Sequence, residues 1–212
     1  MFSLLFAFGS MLGVVLIPLL VVLIRSRRWR KAVRPLQEYL RGSHFVYNTL
    51  QFDILGRSLK LFMVGSGGNS RGSPLTSYPV VFSYVDAPAR LVFGNAGLTK
   101  YVFDLEMGSE RKTVALGDMS LIISSDSKDL LARVERALGE SAQSAQVKSL
   151  FEREFMYLKI NKETVVGGPT LLQRRYILRY FGLPTNELAN DPVSFQTRME
   201  TLVGFLRKCA IS

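Results

Sequence analysis

The 212-residue chain contains one cysteine, one histidine and one tryptophan. A single thiol, Cys209, excludes an intrachain disulfide and any cage of cysteines around a metal. A single imidazole, His44, excludes every site that needs two. No Cys–His neighbourhood in the sequence supports a thiol nucleophile. His44 therefore reads as a hydrogen-bonded structural residue, and Cys209, on or just after the last helix, as a partly buried small residue or an exposed thiol. Signatures for phosphate loops are missing too. The segment Gly65-Ser-Gly-Gly-Asn-Ser-Arg-Gly-Ser73 is rich in glycine, but no Lys-Ser or Lys-Thr follows it. Its Gly65-Ser-Gly67 start leads to Ser70 where a dinucleotide fingerprint needs glycine. It reads as a polar hairpin loop.

Charge is absent from one long stretch. Phe2–Ile24 is 23 residues without a charged side chain. About 20 apolar residues span a bilayer core. Nothing basic precedes the run, and Arg25-Ser26-Arg27-Arg28 stands where a signal peptide would be cleaved. The stretch predicts an uncleaved, single-pass signal-anchor helix over residues 1–24. Gly9 and Gly13, one turn apart, are candidates for close helix packing.

Positive charge is concentrated directly afterwards. Residues 25–41 hold seven basic side chains and one acid, Glu38, out of 27 basic and 17 acidic residues in all. Arg25, Arg27, Arg28, Arg30, Lys31 and Arg34, with Trp29 as interfacial anchor, are the expected membrane-surface residues, facing anionic headgroups. Basic flanks stay on the cytoplasmic side. The expected localisation is thus the cell (inner) membrane, with the N-terminus outside and the remainder cytoplasmic. Residues 25–42 form a juxtamembrane segment with a short helix opened by Pro35 and closed by Gly42. Trp29, Val33, Leu36 and Leu40 share one face of it.

Residues 43–212 then read as one domain. Phe45–Ile54 alternates as a strand, pairing with Leu59–Val64 across Gly56-Arg57. Tyr78–Val85, Leu91–Phe93 and Tyr101–Leu105 are further strands. Thr113–Leu116 and Met119–Ser124 make a hairpin across Gly117-Asp118. Helical spacing follows at Leu130, Leu131, Val134 and Leu138, capped by Asp126 or Ser127, and again at Val147, Leu150 and Phe151. Phe155–Ile160 and Thr164–Val166 suggest a hairpin around Asn161-Lys162-Glu163. A third helix is expected from Pro169 through Leu172, Tyr176 and Tyr180. A fourth is expected from the Asp191 cap and Pro192 through Leu206. Strands first and helices later predict an α+β domain with a mostly antiparallel sheet and about four helices in its C-terminal half.

No catalytic, cofactor-binding or metal-binding constellation is identified, and no cofactor is expected. The acid pairs Asp104/Glu106, Asp126/Asp129 and Glu152/Glu154 read as solvated. Arg174, Arg175 and Arg179, with Tyr176 and Tyr180 alongside, are the candidate face for an anionic ligand or a partner. The net charge outside residues 25–41 is only +4, which argues against nucleic acid. The expected function is a non-enzymatic, membrane-anchored accessory or assembly subunit that binds membrane-complex proteins. The alternatives are a tethered module for a ligand or lipid headgroup, and an enzyme using carboxylates or a metal.

Overall fold

The computed structural model describes residues 2–65, 77–95, 108–152, 156–166, 172–181, 183, 188 and 190–212. Helix α1 (Phe2–Tyr39) is followed by strands β1 (His44–Val46), β2 (Thr49–Ile54), β3 (Arg57–Gly65), β4 (Ser77–Val85), β5 (Leu91–Asn95), β6 (Glu110–Leu116) and β7 (Met119–Ser125). Helices α2 (Lys128–Gly139) and α3 (Ser141–Leu150) come next, then strands β8 (Tyr157–Val166) and β9 (Leu172–Phe181), and helix α4 (Pro192–Lys208). The nine strands form one sheet in the order β1-β2-β3-β4-β9-β8-β5-β7-β6. Every neighbouring pair is antiparallel. The architecture is α+β.

Period-two alternation assigns the two faces. One rung of the ladder runs Leu61–Val81–Tyr180–Leu158–Phe93–Ile123 across six strands, and each of these side chains is buried. The helices pack on this side. Phe195 of α4 meets the ring of Phe52 edge-on at 5.7 Å, and Phe205 stacks on Phe93 at 5.6 Å. The adjacent rung, Lys60–Phe82–Arg179–Lys159–Val92–Ser124, points to the opposite face, as successive strand residues must.

Local signals explain the helix starts. The Ser127 hydroxyl accepts from the Leu130 amide at 3.3 Å, and the Asp191 carboxylate from the Ser194 amide at 2.9 Å. Each satisfies an amide that the first turn leaves without a partner. The β6–β7 turn has Gly117 at φ +63°, the position a type II′ hairpin reserves for glycine.

Among the described residues, no helix is long and apolar enough to cross a membrane. This corrects the expected transmembrane span, and with it the inner-membrane localisation with the N-terminus outside. The physical reason lies in α1. It runs unbroken through Pro18 and Pro35 from the apolar stretch into the basic one. Its later half belongs to the protein core, since Val33 and Leu36 are fully buried and Trp29 is only 8% exposed.

Three further expectations are corrected. Leu172–Phe181 is strand β9, not a helix, so the C-terminal half holds three described helices rather than four. Its apolar residues also fit a period of two, and β4 and β8 supply ladder partners on both sides. Tyr157–Val166 is one continuous strand with no turn at Asn161-Lys162-Glu163. Conversely, Phe45–Ile54 is split by a turn at Tyr47-Asn48, where Tyr47 adopts φ +54°.

The β2–β3 turn provides a direct test of backbone strain. Leu55 and Gly56 take φ +51° and +75°, as a type I′ turn requires. A leucine there is sterically disfavoured, whereas asparagine tolerates the conformation. Leu55→Asn is expected to stabilise the protein by about 0.5–1 kcal/mol, read as a raised urea midpoint. A lowered midpoint would contradict this reading of the turn.

Candidate functional site

The face of the sheet opposite the helices carries an aromatic and basic strip. Phe62, Val80, Phe181 and Tyr157 form one rung, and Lys60, Phe82, Arg179 and Lys159 the next. Tyr84 follows on β4, opposite Ile177, and Arg175 opposite Glu163. The rings touch in sequence. Tyr157 stacks on Phe181 at 4.3 Å, Phe181 meets Tyr78 at 6.3 Å, Phe62 meets Phe82 at 6.3 Å, and Phe82 meets Tyr84 at 5.1 Å. Val80 is completely buried among them, while Tyr84 is 40% and Tyr78 36% exposed.

Cations lie over these rings. Lys60 Nζ is 5.8 Å from the Phe82 centroid and 5.7 Å from that of Tyr84, and the Arg175 guanidinium is 5.7 Å from Tyr84 on its other flank. Such contacts contribute about 0.5–1 kcal/mol each at exposed sites and hold both ring and cation in place. Arg179 forks onto the Glu163 carboxylate, with one of its two bonds at 2.8 Å. The guanidinium holds the Glu163 carboxyl below its usual range, against an opposing effect of burial.

The expected anionic-ligand face is thus partly assembled, though on a strand instead of a helix. Arg175 and Arg179 lie two positions apart in the alternation and share the face. Arg174 pairs with Thr164 in the ladder, and its side chain lies outside the described ones. Tyr176 and Tyr180 belong to the helix side, where the Tyr180 hydroxyl donates to the Leu150 carbonyl at 2.5 Å. Lys60, Phe82 and Tyr84, which complete the strip, escape a reading of the sequence. They come from β3 and β4, far from Arg175 along the chain, and only the register joins them.

The basic segment of α1 contacts the β1–β2 turn. Trp29 points into the domain and its indole nitrogen donates to the Asn48 carbonyl at 2.9 Å. Arg30 donates to the Tyr47 carbonyl and lies 5.6 Å over Phe45. Ser26 donates to the Asn48 side chain. Together these three clamp the β1–β2 turn. Arg34 pairs with Glu38 at 2.9 Å on the helix surface. Arg25, Arg27, Arg28 and Lys31 are exposed. Gly9 and Gly13 lie in the first part of α1, where no neighbouring side chains are described.

His44 opens β1 and is exposed, its Nδ1 3.5 Å from the Gly42 carbonyl. Cys209 is fully buried, and burial pushes its thiol up to about 12, so it is not a nucleophile at neutral pH. Asp126 accepts from the Ser109 amide at 3.1 Å, and Asp129 lies in the first turn of α2. Asp104, Glu106, Glu154 and residues 66–73 lie outside the described residues. Among the described residues, no group of three or more His, Cys, Asp or Glu side chains is arranged to hold a metal ion. No family model matches the sequence, and comparison with curated proteins and with solved structures finds no match.

Proposed function

We propose that the protein is a non-enzymatic binding subunit that docks an acidic partner protein on the aromatic and basic face of its sheet. The observation that supports this is the composition of the strip. Exposed tyrosines flanked by Arg and Lys, around a fully buried Val80, match the anchors that dominate binding energy at protein interfaces. The face carries Lys60, Lys159, Arg175 and Arg179 against Glu163 and Asp53, so its complement is an acidic surface. Planar, pre-positioned rings lose little freedom on binding, which favours a firm complex over a loose one.

Purification of the tagged chain from its native source should yield a complex of fixed stoichiometry. Tyr84→Ala and Arg175→Glu should each weaken that complex at least tenfold, roughly the loss expected of an interface anchor. Tyr47→Ala, which alters an exposed ring at the β1–β2 turn, should leave it intact. A monomer, a homo-oligomer, or a complex indifferent to Tyr84 and Arg175 would remove the proposal.

A further inference from the structure

Beside the strip, at the β2–β3 end of the sheet, a cavity of about 580 Å³ is lined by Arg57, Lys60 and Arg207, with Gln51, Ser58 and Tyr84 among its other walls. Arg57 opens β3 immediately after the Leu55-Gly56 turn, and Arg207 stands in the last turn of α4. Part of this arrangement is structural. Arg57 Nη2 donates to the Ile211 carbonyl at 2.8 Å, and Arg207 donates to the Leu55 carbonyl. A cation at the end of α4 is also favoured by the helix dipole.

These contacts leave half of the arrangement unexplained. Arg57 Nη1 is buried and has no hydrogen-bond partner among the described residues. Among the described residues, none of the three cations lies within ion-pair distance of a carboxylate. Asp53 is exposed and opposite Ser58 on β2, and Ser212, whose backbone is bonded to that of Asp86, forms a further wall of the cavity. Burial lowers the pKa of Arg57, and the like charge of Arg207 lowers it further. Two guanidinium groups held together by the fold, one with an orphaned buried N–H, are costly unless an anion lies between them. The planar forks suit an oxyanion with several acceptor oxygens, and Lys60 adds a third charge at the ring wall. The cavity has the size of a small-molecule site.

We propose that this cavity binds a phosphate monoester. Arg57 and Arg207 grip its dianionic head, Lys60 neutralises it, and its organic group lies against Phe82 and Tyr84. This site shares Lys60, Phe82 and Tyr84 with the aromatic strip, but Arg57 and Arg207 lie outside it, so loss of binding in Arg207→Gln with the partner complex intact separates it from the docking reading.

Calorimetric titration of the full chain at constant ionic strength tests the proposal, with inorganic phosphate, phenyl phosphate and phenol as probes. Phenyl phosphate should bind saturably at one site, more tightly than inorganic phosphate, and phenol should not bind. Arg207→Gln should weaken phenyl phosphate about tenfold or more, the loss expected of a charge-assisted hydrogen bond. Lys60→Gln should weaken it several-fold. Arg57→Gln and Arg207→Gln each remove a fold contact as well as a phosphate donor, so Lys60→Gln and an Arg207→Gln variant whose urea midpoint is unchanged carry the test. A phosphotyrosine peptide that outcompetes phenyl phosphate would place the monoester on a protein, whereas one that binds more weakly would assign a free metabolite. Absence of saturable binding, or affinity unchanged in both Arg207→Gln and Lys60→Gln, would overturn the site.

Discussion

Phe93→Ala is expected to destabilise the protein by about 3–5 kcal/mol. The ring is fully buried on β5, stacked on Phe205 at 5.6 Å and met edge-on by Phe151 at 4.4 Å. It thus joins the sheet to α4 and to the end of α3 through one side chain. Removing it forfeits transfer energy and leaves a cavity that three rigid elements cannot collapse around. Such a loss approaches the whole stability of many domains, about 5–15 kcal/mol. Phe93→Leu, expected to cost less, keeps the site measurable if the alanine variant does not fold. Urea unfolding supplies the values. A double-mutant cycle with Phe205→Leu should give a coupling of about 0.5–1.5 kcal/mol beyond area burial. A loss below about 1.5 kcal/mol for Phe93→Ala would mean that this cluster is not the joint described here.

Trp29→Ala is the second large loss, again about 3–5 kcal/mol. The indole is 8% exposed and donates to the Asn48 carbonyl at 2.9 Å. Trp29→Phe separates the two contributions, because it keeps most of the apolar contact and gives up the hydrogen bond, worth about 1 kcal/mol. Trp29 is also the only tryptophan in the chain, so its emission reports on this contact alone. Unfolding followed by that emission and by far-ultraviolet circular dichroism should coincide, since α1 and the sheet share one core. An earlier fluorescence transition would show that the docked half of α1 detaches on its own.

The residues that sequence reasoning placed well carry local signals. The Ser127 and Asp191 caps and the Gly117 turn are written in neighbouring positions, and they start or stop elements where expected. The α+β class and the antiparallel sheet were legible for the same reason. Errors arose where tertiary pairing decides between two periods. Leu172, Tyr176 and Tyr180 fit a helix, but Tyr176, Leu178 and Tyr180 fit a strand, and only β4 and β8 settle the choice. Tyr47 at positive φ offers no glycine to announce the turn that divides β1 from β2. The apolar run before Arg25 invites a membrane reading, yet Trp29, Val33 and Leu36 of the same helix point into the core. Of the candidate sites, Arg175 and Arg179 were visible as a basic group. The pairing of Arg57 with Arg207 was not, because 149 positions separate them in the chain.

The strand order has a consequence for how the molecule is made. β1 to β4 form a meander from the first 85 residues, and β5 to β7 a second group ending at Ser125. No ladder joins the two groups directly. β8 and β9, from residues 157–181, enter between them as the central pair. Until the ribosome has released that hairpin, β4 and β5 each present an open edge, the kind of edge that recruits other chains. Completion of the sheet therefore waits for contacts of long sequence separation, which places this protein among slow folders with a late, aggregation-sensitive step.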